Sequence, residues 1–396
     1  YEAYDYNILH ETFNYGIGAQ YMINKGNYIT ADCYADHFSS SYCFFKDNKT
    51  YNGKAGEEQV RKRTRNHNLS IKGIFKLGNR HKLSVGTEYI VDVLKSQTDN
   101  IAKEDAYTLA LFAQDEIKLL RNLQALIGVR YIYHENFKNH ATPNVALMYK
   151  PGKFNFRASY AAGFRTPTLS ELYATDIAKK NDRLTIGNLD LKPEKNNYFS
   201  LSAEYVHERF SVSVNAFYNN IRDMIDYNTI ATGDKAMEQY GHKEVRQRDN
   251  IAEAKVHGIN VSANAYLGAG FNLSGGYTHL NTQDVELEQP IDKSIKNAYN
   301  INAQWAHSWK IYRLNINLNG RINSKRFSKS YGYAPEYQLW DLNTRHSFNL
   351  KSVIIEPGFG MENLFDYMDD RPYNSNYATL TPGRSFYISL SLKFKS

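Results

Sequence analysis

Apolar and polar residues alternate one by one through most of this chain. In Phe199-Ser-Leu-Ser-Ala-Glu-Tyr205 the odd positions are apolar and the even ones polar. Arg313-Leu-Asn-Ile-Asn-Leu-Asn319 repeats the pattern, with Leu314, Ile316 and Leu318 on one side and Asn315, Asn317 and Asn319 on the other. Successive side chains of a strand point to opposite faces, so this rhythm predicts strands with one apolar and one polar face. A single such strand fits a soluble sandwich equally well. The connections separate the two readings. The pattern predicts about seventeen strands of roughly 10 to 18 residues, longer than strands in most soluble sheets. Short connections are expected at Gly78-Asn-Arg80, Pro151-Gly-Lys153, His207-Glu-Arg209, Leu267-Gly-Ala-Gly270 and Ser308-Trp-Lys310. Long ones are expected near 46–59, 167–195, 226–248, 286–295, 326–336 and 367–382. Short turns alternating with long loops are the layout of a transmembrane antiparallel β-barrel.

Composition agrees. No run of about 18 apolar residues exists, so no helix spans a bilayer, and only a closed sheet is left as a spanning structure. Thirty-two Tyr and 20 Phe against 9 Pro suit long strands with aromatic girdles. The formal charge of +7 is spread along the chain. Its densest basic cluster, Arg61-Lys-Arg-Thr-Arg65, is expected to line a loop or the lumen, and nucleic acid is not an expected partner.

Two stretches carry the most specific signal: Ala161-Ala-Gly-Phe-Arg-Thr-Pro-Thr-Leu-Ser-Glu-Leu-Tyr173 and Gly187-Asn-Leu-Asp-Leu-Lys-Pro-Glu-Lys195. They resemble the paired Phe-Arg-Ala-Pro-like and Asn-Pro-Asn-Leu-like boxes of TonB-dependent outer-membrane receptors. Asn215-Ala-Phe-Tyr-Asn-Asn-Ile-Arg-Asp-Met-Ile225, Asn250-Ile-Ala-Glu-Ala-Lys-Val-His-Gly-Ile259 and Glu362-Asn-Leu-Phe-Asp-Tyr367 resemble later strands of the same receptors, the last being the penultimate one. In Ser385-Phe-Tyr-Ile-Ser-Leu-Ser-Leu-Lys-Phe394, the residues Phe386, Ile388, Leu390, Leu392 and Phe394 share one face, as in the barrel-closing strand of this family. Lys395 and Ser396 follow the terminal aromatic, so that match is close without being strict.

The resemblance implies a 22-stranded barrel with an N-terminal plug. About seventeen strands fit in residues 1–396, which therefore read as the C-terminal part of the barrel domain. The first strands and the plug are expected to be missing, cleaved or carried on another chain. On this count the first box opens the seventh extracellular loop. The implied function is TonB-dependent uptake of a scarce bulky ligand, either cobalamin, haem or a ferric siderophore, across the bacterial outer membrane. TonB would act through the plug segment, and outer-membrane lipids and a surface lipoprotein would be the further partners. No intrinsic cofactor or bound metal is expected, although the ligand itself can be a metal complex. Rival readings are a passive 18-stranded porin and a partner-binding surface barrel.

Candidate ligand contacts are Phe164, Arg165, Pro167, Tyr173, Asn188, Tyr240 and His242. Pro167 ends ladder pairing and Arg165 would place a fixed cation at the mouth. Haem receptors of the family carry a histidine between the boxes, and this chain has none between Pro167 and Asn188. His37, His134, His140 and His242 are the other histidines expected on extracellular loops, and Tyr331 and Tyr333 could stack on a ligand. Cys33 and Cys43 are expected to form one local disulfide in an exported loop, because a zinc site normally needs four ligands. No phosphate loop, nucleophile elbow or His-Glu-x-x-His pair occurs, so no enzyme is expected. The loop carboxylates Glu171, Asp176, Asp369 and Asp370 are expected to be solvated or to bind calcium weakly.

Overall fold

The computed structural model describes residues 5–178, 182–329, 331–369, 378–379 and 381–395. Tyr1, Asp370, Ser396 and parts of the 167–195, 326–336 and 367–382 loops lie outside them. In chain order the strands are β1 (Tyr6–Asn24), β2 (Asn27–Phe44), β3 (Glu58–Leu77), β4 (His81–Ser96), β5 (Ile101–Leu120), β6 (Leu123–His134), β7 (Lys138–Tyr149) and β8 (Phe154–Arg165). A short helix, α1 (Leu169–Tyr173), and a hairpin of β9 (Thr175–Ala178) and β10 (Arg183–Ile186) lead to β11 (Glu194–Val206) and β12 (Phe210–Thr232). Then come α2 (Gly233–Tyr240), β13 (Glu244–Gly268), β14 (Phe271–Asp284), β15 (Asn297–Trp309) and β16 (Tyr312–Asn323). A second hairpin, β17 (Arg326–Ser328) and β18 (Gly332–Ala334), precedes β19 (Tyr337–Asn349), β20 (Val353–Glu362) and β21 (Ser385–Phe394).

Among the described residues nineteen strands belong to one sheet, and β17 with β18 forms its own. With the two short hairpins set aside, seventeen long strands remain, the number that the alternation predicts. Connections alternate in length as expected, with 25–26, 78–80 and 350–352 short and 45–57 and 285–296 long. Two connections on the long side are short, 97–100 and 135–137. The expected 226–248 loop is mostly strand: β12 runs on to Thr232 and β13 begins at Glu244.

The chain divides into two compact units. The first holds residues 1–146, 160–197 and 221–253. Its strands β1 to β6 pair antiparallel in sequence order. Register aligns Ile17, Cys33, Leu69, Tyr89, Leu109 and Tyr133 in one row. One residue along, Asp32, Ser70 and Glu88 align on the opposite face. On that polar face Asn66 donates to Asp92 and Asn68 to Glu88, both at 2.8 Å, and Arg130 pairs with Glu88. The cluster 61–65 lies in β3 rather than in a loop, its register unbroken from Lys62 onward, and Arg63 and Arg65 share the apolar face of Leu69 and not the polar face of Asn66 and Asn68 expected for a lumen lining.

The second unit holds residues 147–159, 198–220 and 254–396. Ala265, Leu273, Ala303, Leu318, Leu342, Met361 and Phe386 form one apolar row across β13–β16 and β19–β21. Asn264, Ser274, Asn302, Asn319 and Asp341 form a polar row on the other side. There Asn302 donates to Asn317 at 2.7 Å and to Asn319 at 2.5 Å, and Lys393 pairs with Glu356 at 2.6 Å. Near the short turns the apolar face ends in packed rings. Phe154, Tyr205 and Phe210 make one set, and Phe271, Trp305, Trp309, Tyr312 and Phe348 another. The box Asn363-Leu-Phe-Asp-Tyr367 is not strand. Asn363 and Asp366 take left-handed φ of 50° and 58°, and the Asn363 side chain bonds Tyr367 backbone in both directions, which turns the chain off β20.

Cys33 and Cys43 do not form the expected disulfide. Both lie in β2 and both are free. Ten residues of extended chain separate their Cα atoms by roughly 33 Å, whereas a disulfide holds them within about 7 Å.

Candidate functional site

The first box folds around Arg165, the last residue of β8. Pro167, which has no N–H for the ladder, follows it, and Thr168 caps α1. The cap is reciprocal: the Thr168 hydroxyl accepts from the Glu171 N–H at 3.2 Å, and the Glu171 carboxylate accepts from the Thr168 N–H at 2.8 Å. The same carboxylate receives Arg165 through Nη1 at 2.9 Å and Nη2 at 3.2 Å. From the second box, Glu194 takes the other edge of the guanidinium, with Nε at 2.9 Å and Nη2 at 2.6 Å. Glu194 also accepts the Ile225 N–H at 2.8 Å, which ties in β12. One arginine thus joins both boxes and a third strand through two bidentate pairs.

Apolar packing seats this clamp. Leu169 packs with Leu94, Ile101 and Ala106, and Leu172 with Leu191 and Ile225, with Tyr173 against both groups. The second box closes over the helix: the Gly187 N–H donates to Ala174 and the Asn188 N–H to the Glu171 carbonyl. A Cβ at Gly187 would stand 2.5 Å from the Leu172 carbonyl oxygen, so only glycine fits there. The Asn188 side chain accepts from the Asp190 N–H, which shapes the turn. Asn250 from β13 then exchanges hydrogen bonds with Lys192 and holds the Asp223 carbonyl.

Glu171 is therefore not a solvated carboxylate. Burial works to raise its pKa, but hydrogen bonds from Arg165 and Thr168 outweigh that and hold it below the usual value. Asp176 goes the other way, raised by burial and by repulsion from Asp99. Asp369 accepts the Ala378 N–H. Below α1 is a cleft of about 420 Å³ whose wall includes Lys62, Asn66, Asp92, His134, Thr166 and Pro167.

The structure places Phe164 and Arg165 at the end of β8 and Pro167, Tyr173 and Asn188 in the loop that folds back against Arg165. Phe164 stacks on His140 with centroids 4.6 Å apart. Tyr240 and His242 belong to a second cluster, in which Ala231, Ala236 and Val245 pack with Leu184 and Tyr240. There β10 pairs parallel with β13, and His242 meets Asp182 at 2.9 Å. Hydrogen bonding by His242 holds the Asp182 carboxyl below its ordinary value. His134 is buried at the end of β6, and His37 lies within β2, not in a loop. Tyr331 and Tyr333 are exposed around the β17–β18 hairpin. Sequence reasoning missed Glu194 and the role of Glu171. The Thr168-x-x-Glu171 spacing signalled the cap, but nothing in it named Arg165 as a partner.

A fold of paired apolar and polar faces with signature boxes clamped at the loop end defines an outer-membrane receptor barrel. Residues 2–364 match the family described as TonB dependent receptor-like, beta-barrel, and the chain belongs to it. It is an outer-membrane β-barrel protein of a receptor and transporter family, not of an enzyme family. Solved structures agree in fold. A mutant of the ferric enterobactin receptor PfeA from Pseudomonas aeruginosa superposes with a TM-score of 0.79 at 18% identity, covering 98% of this chain and 62% of that one. The siderophore receptor PirA from the same organism gives 0.72 at 17%, covering 98% and 64%. BauA, the ferric preacinetobactin receptor from Acinetobacter baumannii, gives 0.66 at 15%, covering 98% and 63%. The chain thus spans less than two thirds of the length of these receptors.

Proposed function

We propose that this chain is the ligand-facing barrel portion of a TonB-dependent importer of a ferric siderophore. The observation that carries this reading is the clamp of Arg165 by Glu171 and Glu194. It fixes the signature loop against β12 and β13 and gives the mouth a preorganised wall, in a chain of this receptor family. Siderophore receptors are prominent among its structural relatives, and haem is disfavoured by the lack of a histidine between the boxes. The plug and the TonB contact belong to the remainder of the receptor. The apolar rows are the lipid-facing side, and the asparagine rows face the lumen or plug.

The test is a titration of the full-length protein with ferric catecholate and hydroxamate siderophores, followed by intrinsic fluorescence, beside ferric haem followed at the Soret band and cobalamin as competitor. Saturable quenching by one siderophore class supports the reading. A Soret shift or tight cobalamin binding, with no response to siderophores, replaces the ligand. Silence toward all of them favours the partner-binding barrel, with a surface lipoprotein as the next candidate.

A further inference from the structure

On the apolar face of β1–β5 the rows change character toward the long 45–57 connection. The row Ile17, Cys33, Leu69, Tyr89, Leu109 is apolar. Next comes Tyr15, Ala35, His67, Val91, Tyr107, then Phe13, His37, Arg65, Val93, Asp105, then Glu11, Ser39, Arg63, Lys95. Apolar rows thus give way to rings and then to charged residues, where Arg63, Arg65 and Lys95 outnumber Glu11 and Asp105.

Arg63 and Lys95 are directly opposite one another, and Arg65 is two residues along the same face. Strand spacing of about 4.8 Å and rise of about 3.3 Å per residue place all three within roughly 7 Å of a common point. Like charges directly opposite destabilise a sheet, and an anion between them would relieve that repulsion. All three are exposed, and none has an ion-pair partner among the described residues. Glu11, one strand beyond Ser39 in the row of Arg63, lines the same hollow and accepts from Ser39 at 3.3 Å, but forms no ion pair with Arg63, Arg65 or Lys95 among the described residues. A hollow of about 380 Å³ lies here, lined by Phe13, His37, Arg63 and Arg65 among others. His37, set between the rings of Tyr15 and His67, has a buried Nε2 with no partner.

We propose that Arg63, Arg65, Lys95 and His37 form a site for the phosphate headgroup of an outer-leaflet lipid. Its acyl chains lie on the rows of Ile17 and Leu69 below. The assignment rests on the reading of this face as lipid-facing. A free phosphate would satisfy the cations but leaves the adjoining apolar rows without a role.

The test uses full-length protein in detergent, with native mass spectrometry reading retained lipid. The probes are diphosphoryl lipid A, lipid A stripped of both phosphates, and inorganic phosphate. Wild type is expected to hold diphosphoryl lipid A about a hundredfold more tightly than the triple variant Arg63→Gln, Arg65→Gln, Lys95→Gln. The stripped lipid is expected to bind both proteins alike. Equal retention across lipids and variants, in variants that keep the folded mobility of an unheated gel, overturns the site. Binding of inorganic phosphate as tight as that of the lipid overturns the lipid as occupant. A Cys43→Ser background leaves Cys33 to report on the face itself. If hydrophilic maleimide labels Cys33 fully in intact membranes, the lipid-facing assignment fails. A protected Cys33 with no phosphate preference overturns the headgroup site alone.

Discussion

Arg165 shows how much of this molecule turns on single side chains. Its charge is neutralised by Glu171 and Glu194, so it acts first as a clamp between the two boxes. Replacing Glu194 by Gln removes a charge-assisted pair, which contributes about 2 kcal/mol. Hydrogen exchange at the Ile225 amide, which donates to that carboxylate, is expected to speed up by roughly thirtyfold. Acid should loosen the same loop. The Glu171 and Asp182 carboxyls are held below their ordinary values, so their stabilisation is present above the unfolded carboxylate range near pH 4 and is lost as pH falls through the lower folded values. Asp176 has the opposite sign, since its raised value makes its charge a cost near neutrality that protonation removes. Limited proteolysis of 166–193 across pH is expected to show opening only below about pH 4, and Glu171→Gln should be open at every pH. The cysteines give a simpler outcome: denatured protein is expected to titrate two thiols without reductant.

Among the elements, β16 shows what alternation does for a wall strand. Ile316 faces Trp305 and Thr344 on the apolar side, while Asn317 and Asn319 meet Asn302 on the other. On the proposed reading this side meets lipid, whose contact is not shape-specific, so Ile316→Leu is expected to assemble normally. Ile316→Arg places a cation on that face at a cost of about 2 to 4 kcal/mol. The check is heat-modifiable mobility, lost in the arginine variant and kept in the leucine one. The strands were legible because their signal is local: each residue's face follows from its neighbour's. Helix α1 was not read from the sequence, although its Thr168-x-x-Glu171 spacing is a capping-box signal. The parallel pairing of β10 with β13 was not, because it joins residues about sixty positions apart through backbone groups that every residue carries. For the same reason β12 and β13 run further than expected, as their outer ends pair without apolar alternation.

For the whole molecule, the terminal strands differ from the rest. Along β1 and β21 nearly every residue is exposed, where central strands such as β7 alternate. A plugged importer holds ions back, so planar-bilayer recording of the full-length protein is expected to show no steady conductance. A continuously open pore of nanosiemens scale would favour the porin.

What the sequence determined by itself was the set of long strands, their two faces, the order of their turns and the family, since period-two patterning and box motifs are written in neighbouring residues. The tertiary structure decided the rest. It put Cys33 and Cys43 at distant points of one strand, joined Arg165 to Glu171 and Glu194, and gathered Arg63, Arg65 and Lys95 beside His37. Those outcomes depend on register between strands, and register is fixed by hydrogen-bond ladders and packing that no single segment contains.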